Sequence, residues 1–81
     1  MTHHQFEKSF YEYLMTERGN SSNPELAEFA ESVFNDVNFP KPSKSYEELT
    51  NYFELSTDYL ESMNIFDHTW QIYVAQHDTN L

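Results

Sequence analysis

A chain of 81 residues without a single cysteine has to hold its fold by packing alone. At this length only somewhat over ~60% of the unfolded surface is buried, and the disulfides that secure many small secreted domains are absent. The chain answers with rings: seven Phe, six Tyr and one Trp. Each ring can take ~150–250 Å² out of water, so a few short elements suffice for one core. The length allows one domain and no second core.

The rings recur at helical intervals, and alternation of the strand type is scarce. Ser9 and Glu12 have capping-box spacing and predict a first helix from about Ser9 to Arg18, with Phe6, Phe10, Tyr13 and Leu14 on one face. Gly19, the only glycine, falls where a left-handed C-cap residue would stand. Asn23 as cap and Pro24 at the first helical position open a second helix. There Leu26, Phe29, Ala30, Val33, Phe34 and Val37 form a continuous apolar stripe that ends near Asn38, before Phe39-Pro40-Lys41-Pro42. A third helix starts at Ser45 with a capping box to Glu48, presenting Tyr46, Leu49, Tyr52 and Phe53. A further turn or two is expected over Asp58–Glu61, with Tyr59, Leu60 and Met63 pointing inward. A last helix begins near Asn64, with Asp67 in its first turn and Phe66, Trp70, Tyr73 and Val74 inside. The fold class is therefore all-α, a small orthogonal bundle of four to five short helices. Residues 1–8 are read as a flexible N-terminal tail, 9–77 as the domain, and 78–81 as a frayed C-terminus.

In this order, Ser9-Phe10-Tyr11-Glu12-Tyr13-Leu14 with Arg18, Leu26-Ala27-Glu28-Phe29-Ala30, Phe39-Pro40-Lys41, Tyr52-Phe53-Glu54-Leu55 with Asp58-Tyr59-Leu60, and Phe66-Asp67 with Trp70 resemble the YozE family. These are small bacterial proteins with a sterile-alpha-motif-like helical fold, and the resemblance spans roughly residues 8–76. It implies that fold and carries no activity or active site. Sterile-alpha-motif domains mostly mediate protein–protein contacts, with some binding RNA, so an interaction role follows by analogy of fold only. Their head-to-tail polymers usually join an acidic surface to a basic one at the start of the last helix. Here residues 64–76 contain Asp67 and His68 but no Lys or Arg, so such a polymer would set acid against acid. A monomer is expected.

The charge is −10, and it is uneven. Residues 1–44 hold seven acids and all four bases, Lys8, Arg18, Lys41 and Lys44; residues 45–81 hold seven acids and no base. A surface of that sign repels polyanions and favours a basic partner. No run approaches the ~20 apolar residues of a membrane span, and the opening residues lack a basic region followed by an apolar run, so a cytoplasmic location is expected.

The catalytic inventory is thin. There is no cysteine, no G-x-S-x-G turn and too little glycine for a phosphate-cradling loop. Pairs such as Glu28/Glu31 and Glu47/Glu48 are read as solvent-facing helix positions. His68 and His77 would stand about 13 Å apart along one helix, too far to share an ion, and His3 and His4 lie in the tail. The chain is accordingly read as non-enzymatic, with no catalytic, cofactor or metal residues. The candidate binding residues are Arg18, Lys41, Lys44, Glu54, Asp58 and Glu61. Glu54, Asp58 and Glu61 are acids at helical spacing; a weak gathering around a cation is one reading and plain solvation the favoured one, and they lie in the 47–67 stretch to which a basic protein partner would be attracted. Arg18 is expected to pair with a nearby acid such as Asp67, and Trp70 to lie in the core. The second reading is a weak single-stranded nucleic-acid binder, in which Phe39 stacks a base between Lys41 and Lys44. Against it stand four bases among fourteen acids, a poor source of counterion release. Mixed DNA and RNA oligomers titrated at low ionic strength are therefore expected to leave the Phe39, Lys41 and Lys44 resonances in place; protection there would favour the nucleic-acid reading.

Overall fold

The computed structural model describes residues 8–77, which form four helices and, among these residues, no strand. They are α1 (Phe10–Met15), α2 (Pro24–Asn35), α3 (Tyr46–Leu55) and α4 (Met63–His77). Phe6, His3, His4 and the expected fray at 78–81 lie outside the described residues. None of the helices is long and apolar enough to cross a membrane.

The helix starts follow local chemistry. Ser9 accepts from the Glu12 N–H at 3.2 Å, and its own N–H donates to Glu12 Oε1 at 2.8 Å, a complete capping box. That hydrogen bond to the Ser9 backbone also holds the Glu12 carboxyl below its ordinary pKa. Asn23 accepts from the Leu26 N–H, with Pro24 opening α2. Ser45 accepts from the Glu48 N–H, although the reciprocal half of the expected box is not formed. For α4 the capping role expected of Asn64 falls to Ser62, whose hydroxyl accepts the Asn64 N–H at 3.1 Å. The helix starts at Met63, which leaves Asp67 beyond the first turn.

The helix ends depart further from expectation. α1 stops at Met15, and Thr16 and Glu17 close tight turns onto the Tyr13 and Leu14 carbonyls at 3.0 and 2.9 Å. Those turns satisfy the last carbonyls without a left-handed residue, and Gly19 has no positive φ. The apolar stripe of α2 also breaks early. Asp36 turns extended after Asn35, leaving Val37 83% exposed; Phe34, still within the helix beneath the Arg18 guanidinium, is 43% exposed, while Leu26, Phe29, Ala30 and Val33 stay buried. Asp58–Glu61 is not helical. Its Tyr59 and Leu60 nevertheless pack against the core, as does Met63 at the start of α4.

The core is a continuous set of rings. Phe10, fully buried, meets Phe66 and Tyr73 edge-on at 5.4 and 5.5 Å, and also touches Tyr13, Phe29 and Trp70. Phe66 meets Phe53 at 4.9 Å and stacks on Tyr46 at 5.5 Å and 14°. Helices α1, α2 and α4 pack pairwise; α3 joins through Leu49 and through Phe53, whose ring meets Phe29, Phe39 and Phe66. Trp70, expected in the core, is half-buried: it packs against this cluster but also borders a shallow depression with Tyr46, Asp67 and Gln71. The Tyr73 hydroxyl donates to the Lys8 carbonyl, fastening α4 to the residue just before the α1 cap.

Two substitutions test this architecture by chemical unfolding. Phe66→Ala should cost ~3–5 kcal/mol. Gly19→Ala should stabilise by ~0.4–1 kcal/mol, because its φ is ordinary and an added Cβ meets nothing within 4 Å; a loss of stability there would restore the left-handed cap.

Candidate functional site

On α2, Glu25, Glu28 and Ser32 follow one another at i, i+3 and i+7 and so share one stripe. The connection before α4 brings Leu60, Glu61 and Ser62 opposite them, and the first turns of α4 add Asn64, Ile65 and His68. Together with Phe29 and Tyr59 these residues line a cleft of about 670 Å³. Buried Phe29 and half-buried Leu60 and Ile65 supply its apolar base. Glu25, Glu28 and Glu61 are exposed and supply its charge, with no Lys or Arg among the lining residues.

Beside the cleft lies a buttress that sequence reasoning missed. The Asp36 Oδ2 accepts from Tyr52 at 2.6 Å and from Tyr59 at 3.1 Å, while Oδ1 accepts the Asn38 N–H. This carboxylate holds α2, α3 and the 59–62 connection together, and it fixes the turn that carries Phe39 inward. Burial, then the Asp36 hydrogen bond, pushes the Tyr59 phenol well up, and the same two causes push Tyr52 up to about 12. Both phenols are thus donors at neutral pH, positioned for structure. Tyr13 is also pushed up, by burial and by Glu17, which accepts its hydroxyl.

The residues singled out from sequence fall in separate places. Arg18 does not reach Asp67. Its Nε and Nη2 donate to Glu31 at 3.1 and 3.3 Å, and the guanidinium lies 3.6 Å from the Phe34 ring centroid. The turn after α1 delivers Arg18 to α2, not to α4, and Asp67 instead accepts from the Tyr46 hydroxyl at 2.6 Å. Both members of the Arg18–Glu31 pair are substantially exposed, so its contribution is ~0.2–1 kcal/mol. Phe39 is 4% exposed and enclosed by the Tyr11, Tyr52 and Phe53 rings. It has no face to offer a base. Lys41 rests over Tyr11, with Nζ 5.4 Å from the ring centroid, and Lys44 acts electrostatically on Glu12.

The acids Glu54, Asp58 and Glu61 do not share one helical face. Glu54 is on α3, where its charge acts on Tyr46; Asp58 borders a shallow depression with Asp36; only Glu61 lines the cleft. Glu25 and Glu28, not chosen from sequence, join it there. Among the described residues, no three His, Cys, Asp or Glu come together as a metal site.

Comparison with known proteins gives a consistent picture. A sequence model of the family described as YozE SAM-like fold matches residues 9–75. The chain is 51% identical over 67 residues to a UPF0346 protein of Pediococcus pentosaceus, spanning 83% of this chain and 90% of that one. It is 48% identical over 68 residues to a UPF0346 protein of Lactiplantibacillus plantarum, spanning 84% and 93%. A UPF0346 protein of Lacticaseibacillus casei is 47% identical over 72 residues, spanning 89% and 90%. These names give a family and a fold, and no activity.

The raised phenol pKa values set a pH dependence. Each group's folded-state value lies above the ordinary value of about 10, so its contribution is complete below pH ~10 and is lost as the pH rises through the folded value, toward about 12 for Tyr52 and higher still for Tyr59. Urea midpoints should hold level through neutral pH and fall above pH ~10. Tyr52→Phe and Tyr59→Phe should each flatten that alkaline fall while lowering the neutral-pH midpoint.

Proposed function

We propose, from the premise that this chain belongs to the YozE SAM-like fold family, that it is a non-enzymatic protein-interaction module. In this reading it works as a cytoplasmic monomer and presents its acidic surface to a basic protein partner. The observation that carries the reading is the α2/α4 cleft: an apolar base of Phe29, Leu60 and Ile65 beside Glu25, Glu28 and Glu61. Interfaces draw affinity from desolvated apolar centres and orientation from the charges around them. The cleft offers both on one surface.

Several features favour a binding role over chemistry. The strongly shifted tyrosines are committed as donors to Asp36 and Glu17. Of the two lysines of the Phe39 island, Lys41 lies against the Tyr11 ring while Phe39 itself is buried. That leaves the charge pattern as the chief long-range signal, and its sign draws in cations.

Site-specific photo-crosslinking in cells tests the reading. A crosslinking side chain at position 28 should capture discrete protein adducts, and one at the exposed position 47 on α3 should capture far fewer. Adducts formed in extracts should decline as salt rises. Equal capture at both positions, none at either, or indifference to salt would count against an acidic interaction surface at the cleft.

A further inference from the structure

We infer that the occupant of the α2/α4 cleft is a basic protein segment that sets one large apolar side chain on Leu60 and Ile65 and its Lys or Arg residues against Glu25, Glu28 and Glu61. This rests on the interaction reading above and adds the chemistry of the partner.

The size of the cleft argues for a segment. About 670 Å³ is within the roughly 300–1,000 Å³ range of ligand clefts. It exceeds what one side chain needs, so a short segment of a partner can enter it. The placement of charge argues for several cations along that segment. Glu25 and Glu28 stand on α2, and Glu61 stands on the connection facing it. Covering these carboxylates without counter-charge would strip their water at a cost no apolar contact on this base repays. A single small cation neutralises one wall and leaves the other. A row of Lys or Arg meets both, with alkyl stems lying along Leu60 and Ile65 and charged heads reaching the acids.

The apolar base supplies the other half. Leu60 and Ile65 are only half-buried in the isolated chain, whereas Phe29, also lining the cleft, is 5% exposed. A Leu or Phe of the segment would bury against Leu60 and Ile65. Other occupants fit the charge poorly. A nucleic acid brings phosphates toward three carboxylates. A second copy of this chain brings net −10, with no Lys or Arg between residues 45 and 81, and two of its four bases already lie against its own Phe34 and Tyr11 rings.

The test uses the full chain and synthetic peptides. One short peptide carries several lysines around a single phenylalanine; a second replaces that phenylalanine by alanine; a third replaces the lysines by glutamates. Titrated under amide-resonance detection, the first should shift Glu25, Glu28, Leu60, Ile65 and His68 together and saturate. The alanine peptide should bind about tenfold or more weakly, and the glutamate peptide should not bind. Glu28→Gln combined with Glu61→Gln, both at exposed positions, should weaken the first peptide several-fold and reduce its salt dependence, with the spectrum otherwise unchanged. Equal affinity for the phenylalanine and alanine peptides would reduce the contact to diffuse charge and overturn the proposal. So would shifts centred on Glu54 and Asp67, or concentration-dependent shifts at the cleft without peptide, which would mean self-association. If no peptide binds while crosslinks at position 28 persist, the partner chemistry is wrong and the interaction module stands. If the peptides bind as expected and cells yield no adducts, the interaction reading falls on its own.

Discussion

The fold depends on rings packed against rings around Phe10 and Phe66. Neither residue exposes any surface, and between them they contact aromatic side chains from all four helices. A short, cysteine-free chain has no crosslink to lower the entropy of its unfolded state. Its stability must come from apolar area, and aromatic side chains deliver the most area per ordered residue. Offset and edge-on contacts, such as Phe10 against Phe66 and Tyr73, add a geometric preference that helps select one arrangement of short helices over others.

Polar groups then set details that rings cannot. The Asp36 carboxylate ends α2 and collects two tyrosine hydroxyls from separate parts of the chain. Tyr73 reaches back to Lys8 across nearly the whole sequence. Each such bond is worth little net where water competes, but a buried partner left unmatched costs more than the bond contributes. They act as registration, fixing where a helix stops and which way the next segment runs. Glu25, Glu28 and Glu61 stay exposed. Near the second helix they border an apolar surface that the fold leaves half covered.

That division explains which parts of the site were legible in the sequence. Glu61 was visible as one of a run of exposed acids, but its companions in the cleft are Glu25 and Glu28, more than thirty residues away in the chain. The helical grouping with Glu54 and Asp58 failed because the 57–60 stretch, with Tyr59 bound to Asp36, does not form a helix. Arg18 was rightly expected to pair with an acid. Its partner is Glu31, because the turn after α1 runs against α2.

The sequence by itself determined what depends on neighbours three or four residues apart. The Ser9–Glu12 capping box, the Asn23-Pro24 start and the buried stripe from Leu26 to Val33 all follow from local hydrogen bonds and helical periodicity. The all-α class and the aromatic core follow from the same spacing. Tertiary structure alone decided where α2 ends, why Val37 and Phe34 face outward, which acid Arg18 meets, and that Glu25, Glu28 and Glu61 share a cleft. The physical reason is range. Caps and periodic faces act within a turn or two of helix, whereas the choice of a distant partner depends on which side chains the packed core brings within reach.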